Sequence, residues 1–293
     1  MKTWGLTRCK SRIAALKSLK TLPPTPKTKN QDTRAALRNC ALKKLITENM
    51  TLHDALAGYK RYAGIKEMHV AAALIDCDGV LFDTMKNHTR AWVKLMQKNG
   101  IRCTRDEFYL YEGMTGVEIV KKKFKEGVGK ALTDDEARAL YGVKGRYFLE
   151  LGPTGKVPGI DRVLTLLRDA EVQRIVVTGS QQPSVLDRID GEFAGLLSTL
   201  RVTGNDVRHG KPNPEPYLKG VAKAGVPASQ CIVIENAPLG VQAAHAAGCF
   251  AIAVTTGPIA EKELYRAGAD IVYPNMDALA DAIQSWLLDK AEI

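Results

Sequence analysis

From Val70 onward the chain alternates strand-length apolar runs with amphipathic helical stretches, and few folds accommodate that rhythm. Segments 71–75, 174–177, 231–234, 250–254 and 270–272 read as strands. Helix-like stretches at 160–170, 215–224, 239–247 and 261–267 stand before the later runs. Strand, helix and strand repeated in this way build right-handed crossovers around a parallel sheet. The expected core is therefore a doubly wound, Rossmann-like α/β sheet. One stretch departs from the rhythm. Between Asp83 and Pro158 the pattern is helical: Trp92, Leu95, Met96 and Asn99 mark one stripe, and Thr133-Asp134-Asp135-Glu136 caps a helix running through Leu140, Val143 and Phe148. The reading is an all-helical insertion at 86–156, with 70–85 and 157–293 forming the core.

Residues 1–69 form an N-terminal extension of different composition. They hold 15 Lys/Arg against 4 Asp/Glu, whereas the remaining 224 residues balance at −1, so the net charge of +10 belongs to the extension. Residues 1–33 are basic and broken by Pro23-Pro24-Thr25-Pro26, a flexible tail by composition. Helical spacing begins at Arg34, with Leu37, Ala41, Leu42, Leu45 and Ile46 in step. Thr51 and Asp54 are placed as a capping pair for a further helix carrying Leu52, Ala55, Leu56 and Tyr59, which Gly64 can close. Without interleaved aromatics the basic tail argues against nucleic-acid binding. It has no apolar segment of a secretory signal, although an Arg-rich, acid-poor start is also the composition of an organelle-targeting segment. No apolar run approaches the roughly 18–20 residues of a membrane span. The six cysteines are scattered without a CxxC pair, as for free thiols in a reducing, cytoplasmic setting. A monomer or weak dimer is expected.

In an open parallel sheet, ligands bind beyond the carboxyl ends of the strands. The residues just past each strand are therefore informative. The first strand runs into Asp76-Cys77-Asp78-Gly79-Val80-Leu81-Phe82-Asp83-Thr84, and the second ends Thr178-Gly179-Ser180. The next segment brings Gly210-Lys211-Pro212-Asn213-Pro214, and the fourth ends Glu235-Asn236-Ala237-Pro238-Leu239-Gly240. Any one of these is an ordinary cap or turn. Two acids, a hydroxyl, a lysine and an acid–amide pair arriving in this order at one sheet edge point instead to one shared site.

The segments DCDGVLFDT, VVTGS, GKPNPEPY and IENAPLGVQAA resemble the four motifs of the haloacid dehalogenase-like hydrolase superfamily. Within it they are most similar to the beta-phosphoglucomutase-like branch, whose helical cap comes after the first motif. The resemblance covers Val70 to the C-terminus. It implies that Asp76 is a nucleophile forming an aspartyl-phosphate and that Asp78 is the general acid/base. It further implies that Thr178, Gly179 and Lys211 hold the phosphoryl group, and that Asp76, Asp78, Glu235 and Asn236 hold Mg²⁺. Asp78 separates this chain from the superfamily's dehalogenases, which lack a second aspartate. The implied activity is a Mg²⁺-dependent phosphatase acting on a small phosphorylated metabolite.

Two features qualify that expectation. Asn236 stands where the family pattern usually has a second acid, which removes one negative charge from the metal shell and keeps open a weak or inactive binding protein. Thr84, His88 and Trp92 match positions of the mutases, and His88 is a candidate substrate contact at the cap hinge. Against a mutase, the segment Tyr111-Glu112-Gly113-Met114-Thr115-Gly116 lacks the arginine that would hold a second phosphate. Lys144 or Arg146 on the later cap helix could substitute for that arginine, although both read first as solvated helix charges.

Overall fold

The computed structural model describes residues 50–66, 69–181 and 183–291; the helical pattern from Arg34 and the tail before it lie outside them. Six strands, β1 (Ala72–Ile75), β2 (Gln173–Val177), β3 (Arg201–Val202), β4 (Cys231–Glu235), β5 (Phe250–Val254) and β6 (Ile271–Tyr273), form one sheet. Their order is β3-β2-β1-β4-β5-β6, and every neighbouring pair is parallel. β1, β4 and β5 are buried along their whole length because helices cover both faces. Alternation divides β1 between two apolar layers. Ala73 and Ile75 pack with Val176, Ile234 and Ile252; Ala72 and Leu74 pack with Val177, Val233 and Ala251. The expected doubly wound sheet is therefore observed. β3 was not anticipated: two residues carry no period, and only pairing with Val176 and Val177 defines it.

Helix α1 (Leu52–Tyr62) starts at the Thr51–Asp54 capping box. Its Leu52, Ala55, Leu56 and Tyr59 join the same apolar layer as Ala73 and Ile75. Tyr59 Oη donates to the Gly248 carbonyl at 2.6 Å, and its ring meets Phe250 edge-on at 5.4 Å. A division at residue 69 thus leaves in the extension a helix that is packed on the core.

After β1 come α2 (Met85–Lys98), α3 (Arg105–Leu110), α4 (Gly116–Val128) and α5 (Asp134–Leu149), with no strand of the sheet among them. They enclose an apolar cluster of their own, including Trp92, Leu95, Met96, Phe108, Ile119 and Phe124. Thr104, Thr115 and Thr133 each start one of these helices in a reciprocal capping box with Glu107, Glu118 and Glu136. The chain leaves and re-enters the core side by side. Asp83 N–H donates to the Gly155 carbonyl, and Val157 N–H to that of Leu81, both at 3.0 Å. The remaining helices, α6 (Ile160–Asp169), α7 (Pro183–Glu192), α8 (Glu215–Ala224), α9 (Pro238–Ala246), α10 (Glu261–Ala267) and α11 (Met276–Ala291), cover the sheet. Among the described residues no helix is long and apolar enough to cross a membrane.

The sheet order runs outward from β1 to β3 on one side and from β4 to β6 on the other. Reversal of winding between β1 and β4 opens a crevice at their carboxyl ends. The cap stands over that crevice.

Candidate active site

Register brings Asp76 and Glu235 level. Ile75 pairs with Ile234, so the next residue on each strand leaves the sheet at the same height. Lys211 Nζ lies between them, 2.5 Å from Asp76 Oδ1 and 2.6 Å from Glu235 Oε1, with a side chain only 1% exposed. Tyr217 Oη, from α8, donates to the same Glu235 oxygen at 2.8 Å. Glu235 Oε2 accepts the backbone N–H groups of Asn236 and Ala237 at 2.9 and 3.2 Å. Both oxygens of Glu235 are thus engaged by the protein itself. Burial alone would lower the Lys211 pKa, but Asp76 and Glu235 reverse this and hold it well above the usual lysine range. Asp76 is pushed up to about 7, because burial and the nearby Glu235 outweigh the ammonium beside it.

Asp78 belongs to a second chain of contacts that ends in the cap. Its Oδ1 accepts from Thr84 Oγ1 at 2.5 Å and meets His88 Nε2 at 3.1 Å. His88 Nδ1 in turn meets Lys144 Nζ, a donor when charged. An ammonium on Nδ1 leaves the ring proton on Nε2, so His88 donates to Asp78. Burial would raise the Asp78 pKa, yet His88 and Thr84 override it and hold the carboxyl below the ordinary range. Burial lowers His88, and the Lys144 charge lowers it further. Lys144 corrects the sequence expectation: its ammonium is buried among the rings of Trp92, Tyr141 and Phe148, 5.1, 5.8 and 5.2 Å from their centroids. Burial brings its pKa down to about 7, against the pull of Asp78. Arg146, two residues on, is exposed as expected.

Thr178 and Gly179 come directly after β2 at the same edge. Thr178 is buried and its hydroxyl oxygen accepts the Ser180 N–H at 3.1 Å, which orients it without using its proton. Asp76, Asp78, His88 and Gly179 border a cavity of about 60 Å³ between cap and core. Lys211 and Glu235 form the layer behind Asp76, and Gly113 of the cap loop lies across Lys211.

Glu112 was not a candidate from sequence. It is a buried carboxylate on the loop between α3 and α4, and its oxygen accepts from Asn236 Nδ2 at 3.0 Å. Burial raises its pKa well above the usual value, and Asp76 adds to this against the opposing Asn236 bond. The only sequence signal was an acid beside Gly113, and nothing in the spacing connected it with Asn236, 124 positions away.

Among the described residues, no three His, Cys, Asp or Glu side chains converge as a ready metal cluster. The donors that do fit a hard cation are oxygens. Asn236 Oδ1 is buried with no hydrogen-bond partner among the described residues, an arrangement that costs free energy unless something accepts its lone pairs. The carboxylates of Asp76 and Asp78 stand at the same strand edge. This donor set suits Mg²⁺, which prefers carboxylate and amide oxygen.

A parallel sheet with an acid-bearing crevice under a helical cap defines a class. Residues 70–248 match the family model for haloacid dehalogenase-like hydrolases, and the chain belongs to that family. Among its relatives, hexitol phosphatase A of Escherichia coli K12 is 29% identical over 188 residues, covering 64% of this chain and 84% of the relative. Beta-phosphoglucomutase of Bacillus subtilis is 28% identical over 194 residues, with 64% and 84% coverage. A solved Bacteroides vulgatus protein carrying a provisional beta-phosphoglucomutase name is 38% identical, with a TM-score of 0.75 over 79% of this chain and 96% of that one.

Proposed function

We propose that the chain is a Mg²⁺-dependent phosphatase of small phosphorylated metabolites that works through an aspartyl-phosphate on Asp76. The observation that carries this reading is the pairing of Asp76, backed by Lys211, with Asp78, held from the cap side, on one cavity wall. Phosphatases among the relatives support the reaction class.

In this reading the Asp76 oxygen not held by Lys211 attacks phosphorus, and the bond to the leaving oxygen breaks with its electron pair. Asp78, held ionised by His88 and Thr84 in the free site, takes up a proton as the anionic phosphoryl group enters beside it and raises its pKa, and gives that proton to the leaving oxygen. As carboxylate it then takes a proton from the water that attacks the aspartyl-phosphate and frees Asp76. Thr178 and the Gly179 backbone bind phosphoryl oxygens, and Lys211 offsets charge at Asp76. Mg²⁺, held by the Asp76 carboxylate, the Asp78 main-chain carbonyl and the Asn236 amide oxygen, would supply positive charge beside the anionic reactants and leave the Asp78 carboxyl free for proton transfer. Glu235 serves here by fixing Lys211, since its own oxygens are already engaged. The free thiols at Cys77, Cys103, Cys231 and Cys249 support the cytoplasm as the compartment.

The size of the cavity supports a compact substrate. At roughly 10–15 Å³ for each enclosed water, about 60 Å³ takes a phosphoryl group and a short leaving group. Release of phosphate from a panel of glycolate, glycerol and hexose phosphates, nucleotides and pyrophosphate, with and without Mg²⁺, tests the reading. Turnover that disappears with EDTA and in Asp76→Asn supports it. No turnover anywhere in the panel sinks it and favours a binding protein. Conversion of beta-glucose 1-phosphate to the 6-phosphate would make the chain a mutase.

A further inference from the structure

We propose that Glu112, carried by the cap loop, replaces the acid missing at Asn236 and completes the cation site only when the cap is closed. This rests on the phosphatase reading for its purpose, but not for its geometry.

Three observations meet at this residue. Glu112 is 7% exposed, and its one hydrogen-bond partner among the described residues is the Asn236 amide. That bond directs Nδ2 toward the cap, which leaves Oδ1, the unpartnered buried oxygen, on the other side of the same amide. The approach is close. A Cβ on Gly79, whose φ is +81°, would lie 2.1 Å from Asn236 Nδ2 and 3.0 Å from Glu112 Oε1, so glycine is what lets the two side chains reach the turn after Asp78.

Charge gives the arrangement its direction. Asp76, Asp78 and Glu235 already stand here, and Lys211 is used by Asp76 and Glu235. Lys86, which lines an adjoining cavity of about 260 Å³ together with Glu112, is bound to Asp83. A further carboxylate enclosed here without a cationic side chain is unfavourable by itself and favourable beside a divalent cation. Asn236 offers such an ion a neutral oxygen; Glu112 returns the charge that an acid at 236 would have brought. Because Glu112 travels with the cap and Asn236 with β4, cation affinity and cap closure become one linked equilibrium.

The plain alternative is a hydrogen-bonded clasp in which Glu112 merely accepts from Asn236. Glu112→Gln separates the two, since glutamine keeps the acceptor and removes the charge. Binding of Mn²⁺ to the full chain, monitored by electron paramagnetic resonance and by hydrogen exchange of the 111–115 loop, needs no turnover. The expected result is Mn²⁺ affinity at least tenfold weaker in Glu112→Gln, with loss of the Mn²⁺-induced protection of the loop. Adding Asn236→Asp to that variant should bring affinity back to within about threefold while the loop stays unprotected. Affinity within twofold of the unaltered chain in Glu112→Gln overturns the proposal, and so does a weakening that Asn236→Asp does not reverse. A chain that binds Mn²⁺ in this pattern but hydrolyses nothing would refute the phosphatase reading and leave the site standing.

Discussion

Asp76, Lys211 and Glu235 form a buried group in which one ammonium serves two carboxylates. Removing the ammonium leaves two buried carboxylates uncompensated, at about 3–5 kcal/mol, whereas removing the Asp76 charge leaves Lys211 paired with Glu235. Lys211→Met should therefore lower stability by that order in urea unfolding, besides abolishing turnover. Asp76→Asn should abolish turnover while folding normally. Lys144 supplies a pH test. Its folded pKa of about 7 lies below the unfolded value of 10.5, so between those limits the unfolded chain holds a proton that the folded chain has released. Stability therefore rises with pH across that window. Lys144→Met should lack the rise, and its stability relative to the unaltered chain should be greater at pH 6 than at pH 9. These residues also show the limit of reading single positions. Lys211 was legible because it lay beyond a strand in a motif. Lys144 was not, because a lysine on an amphipathic helix looks solvated until Trp92, Tyr141 and Phe148 are seen around it.

At the scale of elements, the loop between α3 and α4 couples cap to core. Gly113 has φ +94°, and a Cβ there would lie 2.8 Å from Lys211 Cδ. Gly113→Ala should cut kcat about tenfold or more, measured on the best substrate of the panel, with the circular dichroism spectrum unchanged. The loop must rise off the lysine while the sheet stays intact. Helix α1 acts differently. Leu56 is 3% exposed and packs on the sheet, so Leu56→Ala should cost about 2–5 kcal/mol in chemical denaturation. The Thr133 cap and the longer strands were readable, since caps and apolar runs are local; the Thr104 and Thr115 caps were visible only in the structure. The two residues of β3 were not readable either, because an edge strand that short exists only through its neighbour.

For the whole molecule, α1 ties the segment before β1 to the core. A chain starting at Met50 keeps Thr51 as the helix cap and keeps the apolar layer covered. It should match the full chain in melting temperature and phosphatase activity, whereas a chain starting at Val70 exposes that layer and should aggregate or melt well below it by calorimetry. Cap closure sets the second expectation. The 60 Å³ cavity should favour short leaving groups, so kcat/KM should fall from glycolate-sized to hexose-sized phosphates.

By itself the sequence determined the parallel sheet, the helical insertion and the order in which Asp76, Thr178, Lys211 and Glu235 reach one edge, because each depends on local periodicity or on spacing within a motif. The tertiary structure decided what no local pattern contains: that Glu235 is held by Lys211 and Tyr217, that Lys144 is buried against His88, and that Glu112 meets Asn236. Those contacts join residues 18 to 124 positions apart. They form only once the winding of the sheet and the packing of the cap have closed the chain upon itself.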